Sequence, residues 1–252
     1  MWKVVPVSVI GTSHEKTDIP CQDCCDFLRV ISGEETVLLV ALADGAGSAA
    51  LSHIGSFEAV HHLLSIASQA NLAPSEISKE QIREWMGKVL QHFATVAERE
   101  KTTVAQLACT LLFGIVGKSD AIFCQIGDGA WVVEKDGDLI PITWPQNGEF
   151  ANITTFITSD GALDTMQFER LTGTVAALAG FTDGLQALAL SFSTRTAHAP
   201  FFKPMFASVQ NCKDETSLIA PLQAFLASED ITNRTDDDKT LVLACRCNTE
   251  SD

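Results

Sequence analysis

Residues 37–49 read VLLVALADGAGSA. Seven apolar residues, Val37 to Ala43, run unbroken and stop at Asp44-Gly45. The run is short and rich in Val and Leu, which predicts a strand over 36–43 that is buried on both faces. Such a strand is a rigid post, and Asp44 is the group it holds up. Gly45 lets other backbone approach closely, and its carbonyl oxygen is available as a ligand. One Asp-Gly after a strand is most often a plain turn; Asp136-Gly137 reads as one, a two-residue hairpin signal.

The same ending recurs elsewhere. Residues 174–184 (TVAALAGFTDG) end in Asp183-Gly184, and 122–128 (IFCQIGD) end in Gly127-Asp128. The last predicted strand, 240–247 (TLVLACRC), follows Asp236-Asp237-Asp238. Strand ends gathered at one edge of a sheet would bring these acids together. Bare carboxylates a few ångströms apart repel, and a hard divalent cation removes the conflict. Mg²⁺ or Mn²⁺ takes oxygen ligands and retains waters, so a few carboxylates suffice.

Around these strands, residues 2–10 predict a strand that Pro6 marks as an edge or an end. Residues 11–23 (GTSHEKTDIPCQD) read as a polar loop. A helix is expected over 49–70, with Ile54, Phe57, Val60, Leu64 and Ala67 at three- and four-residue spacings. A second follows over 78–100, where Ile82, Trp85, Met86, Val89 and Phe93 lie on one core-facing stripe. Further strands are expected at 104–116, 120–126, 130–135, 153–158 and 174–181, and helices at 184–191 and 216–228. No linker or repeat interrupts the chain. The reading is one α+β domain over 1–252, with helices packed outside sheets.

The chain has 252 residues, 46% of them hydrophobic, enough for a sizeable core. A formal net charge of −15 argues against binding to nucleic acid or to an anionic membrane. Neither a signal-peptide pattern nor an apolar run of membrane-spanning length occurs, so a cytoplasmic protein is expected. The eight Cys lack zinc or disulfide spacing and read as reduced thiols. His61-His62 and His92 read as ordinary helix residues.

Taken in order, the motifs resemble those of the metal-dependent protein phosphatases of type 2C, the PPM family. GTSHEKTDIPCQD (11–23) resembles the family's opening segment, LADGAGS (42–48) its first Asp-Gly motif, and Ala108-Cys109-Thr110-Leu111 its Ala-Thr-Thr segment. QIGDGAW (125–131) resembles the Gly-Asp-Ser-Arg segment, GFTDGL (180–185) the second Asp-Gly motif, and DDKTLVLA (237–244) the entry to the terminal strand. The Gly-Thr-Ser-His and Pro-Cys-Gln-Asp pieces are similar to a bacterial branch.

The resemblance implies a four-layer α-β-β-α sandwich with two central, mostly antiparallel β-sheets. It implies two Mg²⁺ or Mn²⁺ ions bridged by water. Asp44 would bridge both, the Gly45 carbonyl would bind one, and Asp183 and Asp237 the other. Asp23 would support the site directly or through water, and Asp128 would join Asp183 at a weaker third ion. Asp236 and Asp238 rival Asp237, and Ser159-Asp160-Gly161 is a decoy for the second Asp-Gly motif. The implied reaction is attack of activated water on a phosphoserine or phosphothreonine, with no covalent phosphoenzyme. A phosphoprotein substrate, a cognate Ser/Thr kinase and a monomeric state go with it.

The chain also departs from the pattern. Asp18 stands where many members have a phosphate-gripping Arg, a task no carboxylate performs. His14 or Lys16, from the same loop, are the candidates to replace it. Gln22 stands in place of a Glu, and Gly129 in place of a Ser. Ala46 stands where some members carry a His suited to protonating the leaving group, which leaves His53 as a candidate. These losses keep a second reading open, a pseudophosphatase that binds phosphoproteins without turnover. A phosphatase for a small phosphorylated metabolite is a third.

Overall fold

The computed structural model describes residues 1–33, 35–146 and 154–247. Two five-stranded antiparallel sheets lie face to face. One holds β2 (Cys24–Ser32), β3 (Glu35–Ala43), β4 (Leu111–Val116), β5 (Asp120–Ile126) and β8 (Gln167–Thr172), in the order β2-β3-β4-β5-β8. The other holds β1 (Trp2–Val9), β6 (Ala130–Lys135), β7 (Asp138–Pro141), β9 (Ala177–Phe181) and β12 (Lys239–Arg246), in the order β1-β12-β9-β6-β7. A two-stranded ribbon, β10 (Leu190–Ser191) with β11 (Thr196–Ala197), stands apart.

Three apolar layers join four structural ones. Between the sheets, Trp2, Leu38, Leu42, Phe123, Trp131 and Val242 are all but solvent-free. Trp131 lies 5.2 Å from the Phe123 ring, in a slot that a Cβ on Gly180 would fill. Helices α2 (Ser52–Ala70) and α3 (Lys79–Glu100) cover the outer face of the first sheet through Val60, Leu63, Ile82, Trp85, Val89 and Phe93. Helices α5 (Ala199–Asn211) and α6 (Ile219–Leu226) cover the second through Phe202, Phe206 and Leu222. β3 is central and buried on both faces, as its unbroken apolar run requires. β1 is an edge strand, where Pro6 is tolerated. Asp136 and Gly137 both adopt positive φ in the β6–β7 hairpin.

Several expectations are corrected. The loop at 11–23 contains a helix, α1 (Thr12–Thr17), which has no fully buried residue and so leaves no apolar periodicity to read. β2 and β8 went unread because both are edge strands carrying charged residues such as Asp26 and Glu169. The strand expected from 104 starts only at Leu111. Val104–Leu107 is a 3₁₀ turn that brings Cys109 alongside Gly45. Residues 154–158 are irregular, and position 153 lies outside the described residues. The strand expected at 174–181 is shortened to 177–181. The helix expected at 184–191 is a 3₁₀ turn, Asp183–Leu185, followed by α4 (Gln186–Ala189), and that expected at 216–228 narrows to α6 after a 3₁₀ turn. α5 was hidden by Pro200 and Pro204, the first of which occupies the helix's opening turn. Phe57 is 53% exposed, on the outer side of α2. All eight cysteines are free thiols.

Candidate metal centre

Four of the acids converge where β3, β5, β9 and the approach to β12 meet at one end of the sandwich. Asp44, Asp128, Asp183 and Asp237 line one cavity of about 250 Å³, together with Asp236, Gly45, Gln22 and His14. Asp44, Asp128 and Asp183 each place one carboxylate oxygen within 4.8 Å of the other two. A larger cavity of about 670 Å³, under α5 and α6, is lined mostly by apolar side chains such as Phe201 and Leu222 and brings no acids together.

The acids are held by hydrogen bonds from neighbouring backbone and side chains. The Asp44 amide donates to Thr110 Oγ1 at 2.9 Å, and the Thr110 amide donates back to the Asp44 carbonyl at 2.8 Å. The Gly45 amide donates to the Gln22 carbonyl at 3.1 Å. A Cβ on Gly45 would lie 2.7 Å from that same carbonyl oxygen, so only glycine permits the crossing. Asp183 opens the turn after β9. The residue before it, Thr182, donates its hydroxyl to Asp23 Oδ2 at 2.8 Å and accepts the Thr240 amide at 3.0 Å. Asp128 accepts the Thr154 hydroxyl through Oδ2, while its carbonyl accepts Gln186 Nε2 at 2.6 Å.

The three consecutive acids divide the work. Asp238 is 2% exposed and accepts the Gly11 and Gln22 amides at 2.6 Å each, which ties the opening segment to the last strand. The Asp236 carbonyl accepts the Ser13 amide at 3.0 Å and the Ser13 hydroxyl at 2.7 Å. Asp237 lines the cavity with its Oδ1 accepting the Asp238 amide at 2.8 Å. The decoy Asp160 sits on an exposed turn away from the cavity. Asp23 lies behind the cavity wall. Lys16 is exposed on α1 and His53 lies on α2, and neither lines the cavity. Asp18 ends α1 with φ 55°, exposed, and so plays a structural part where an anion-binding group was sought. Thr182, Thr154 and Gln186, which hold the acids, were missed by the sequence reading; the threonine directly before Asp183 was the one visible signal.

Crowding shows in the proton affinities. Burial, then the charges of Asp23 and Asp183, raises the Asp44 carboxyl well above the carboxylate range. Burial raises Asp23 to about 8, against the lowering bonds from Thr182 and Thr240. Burial and the Asp128 charge raise Asp183 to about 6. Asp23 Oδ1, Asp128 Oδ1 and Gln22 Oε1 are buried without a hydrogen-bond partner. An all-oxygen donor set with orphaned oxygens and mutually repelling carboxylates fits a hard divalent cation.

A pH dependence follows. Between an unfolded Asp value of about 3.9 and the raised folded values, the native state binds more protons than the unfolded chain. Stability of the cation-free protein therefore falls as pH rises through that window. Melting curves with chelator should show a lower Tm at about pH 8 than at about pH 5, and Mn²⁺ should raise Tm more at the higher pH. A Tm indifferent to Mn²⁺ at both values would contradict the crowding.

A family model described as Protein phosphatase 2C matches residues 10–227. Serine/threonine-protein phosphatase 3 of Escherichia coli (strain K12) is 36% identical over 249 residues, covering 96% of this chain and 98% of that protein. Among solved structures, a bacterial serine phosphatase variant superposes with a TM-score of 0.70 at 14% identity, covering 98% of this chain and 99% of that one. The serine/threonine phosphatase of Staphylococcus aureus gives 0.68 at 13% identity, covering 98% and 95%. At such identities the structural matches speak for the fold: a four-layer α-β-β-α sandwich with two central antiparallel sheets.

Proposed function

Because the chain belongs to the protein phosphatase 2C family, we propose that it hydrolyses phosphoserine and phosphothreonine in proteins with the help of Mg²⁺ or Mn²⁺. The observation that carries this is the meeting of Asp44, Asp128 and Asp183 within 4.8 Å. Asp44 would bridge two ions, with the Gly45 carbonyl completing one position and Asp183 and Asp237 the other. Asp128 with Asp183 would hold a weaker third. Asp23, behind them, supports the cluster through Thr182. When bound, the ions supply Lewis acidity toward phosphoryl oxygens and an activated water.

The chain's own residues do the rest. The β3 and β9 posts fix the acids, so that little reorganisation accompanies reaction. The amide ties of Gly11, Gln22 and Gly45 keep the 11–23 segment at the cavity edge. Contact with the substrate phosphate falls to His14, which lines the cavity, and not to solvent-facing Lys16. Retention of Asp44, Asp183 and Asp237 supports turnover over a pseudophosphatase role, despite Gln22 and Asp18. Substrate would be a phosphoprotein, opposed by a Ser/Thr kinase, and we place the protein in the cytoplasm as a monomer. Among the described residues no helix is long and apolar enough to cross a membrane.

Hydrolysis of an aryl phosphate with Mn²⁺ tests this reading. Activity should vanish with EDTA and fall at least about tenfold, roughly 1.4 kcal/mol of barrier, in Asp183→Asn. Equal activity in both proteins would defeat the assignment.

A further inference from the structure

Phosphoester hydrolysis needs a proton for the leaving alkoxide, and the cavity offers few sources. The carboxylates that line it are those suited to cations, and Ala46, also in the wall, has no proton to give. No Lys, Arg or Cys is among the described residues that line it. His14 is the one imidazole there.

His14 is also held in a way that its place on a short, solvent-facing helix does not require. Its Nδ1 lies 3.0 Å from Asp238 Oδ1, a close contact without hydrogen-bond geometry that leaves Nδ1 otherwise unpartnered. Asp238 is 2% exposed and cannot swing away, because the Gly11 and Gln22 amides grip both its oxygens. The anchor therefore joins three distant parts of the chain, the start of α1, the segment before β2 and the entry to β12. A carboxylate beside Nδ1 is placed to bond that nitrogen after a small rotation of the ring, which leaves Nε2, on the opposite side, to act. No side-chain partner for Nε2 occurs among the described residues.

Resting on the phosphatase reading above, we propose that His14 is the general acid of the reaction, with Asp238 as its positioning residue. As the attacking hydroxide oxygen forms its bond to phosphorus, the bond from phosphorus to the seryl or threonyl oxygen breaks. Its electron pair goes to that oxygen, which takes the proton from Nε2. The neutral imidazole regains a proton from solvent.

The test is leaving-group dependence. Wild type, His14→Gln and Asp238→Asn are assayed with Mn²⁺ on p-nitrophenyl phosphate, whose leaving group needs no proton, and on a phosphothreonine peptide, whose leaving group does. His14→Gln removes a phosphate contact from both substrates and a proton from the peptide reaction alone, so kcat should fall at least about tenfold further on the peptide than on the aryl ester. Asp238→Asn should lose in the same direction. An equal loss on both substrates, or none on the peptide, would overturn the proposal, whereas a wild type inactive on both would defeat the phosphatase reading instead. A second readout stands even if His14→Gln does not fold. The ¹⁵N resonance of His14 Nδ1 should move in Asp238→Asn, and an unchanged imidazole spectrum would remove Asp238 from the account.

Discussion

Asp44→Asn should lower kcat/KM on a phosphoserine peptide by about 10³-fold, near 4 kcal/mol of barrier, while raising the melting temperature of the cation-free protein. Two opposite effects of one substitution separate function from fold. Asp44 ends the buried central strand, and its backbone is locked to Thr110 in both directions. Asn keeps those backbone bonds and nearly the same volume. It removes a charge that sits among Asp23, Asp183 and Asp237. Without a cation that charge is a liability, since burial and like charges both oppose it. With a cation it would be the bridging ligand, and a neutral amide is a poor substitute. Activity assays with Mn²⁺ and melting curves with chelator read the two effects separately. A variant that keeps its activity, or melts lower without cation, would contradict this role.

Gly184→Ala should cost about 3 kcal/mol of stability, roughly 10 °C in Tm for a chain of this size, and should reduce activity at least about 100-fold. A Cβ at Gly184 would collide with the carbonyl oxygen of Asp238. Both partners are backbone, so neither yields by a side-chain rotation. Moving either displaces Asp183 or Asp237, which flank the contact in sequence, and misplacement by an ångström is expensive in a preorganised site. Gly11 makes the same kind of crossing against Asp236 and Asp237. Gly87 provides the control. It lies inside α3 with open space where a Cβ would go, so Gly87→Ala should stabilise by about 0.5–1 kcal/mol. Thermal melts of the two variants, run side by side, check both signs.

What was legible in the sequence follows from burial. The central strands β3, β4, β5, β6, β9 and β12 are apolar enough to read directly, and the long helices α2 and α3 show a stripe. The edge strands β2 and β8 carry charges on exposed positions and did not read as strands. Helix α1 is polar on all sides and is held by long-range bonds to residues 236–238, which no local pattern encodes. The same holds at the site. Asp44, Asp128 and Asp183 were visible as acids at strand ends, because a strand end is a fixed point. The separate tasks of Asp236, Asp237 and Asp238 were not, since three identical side chains in a row differ only in what the fold turns toward them. His14 was visible as a candidate through its loop. Its tie to Asp238, 224 positions away in sequence, was beyond local reading.

The central claim is that acids from four separate strand ends form one cation cluster. Anomalous diffraction at the manganese edge, from crystals soaked in Mn²⁺, tests it most directly. Two peaks should appear, the first within coordination distance of Asp44 and the Gly45 carbonyl, the second beside Asp44, Asp183 and Asp237. An empty cavity under saturating Mn²⁺, or manganese bound only outside it, would contradict the account.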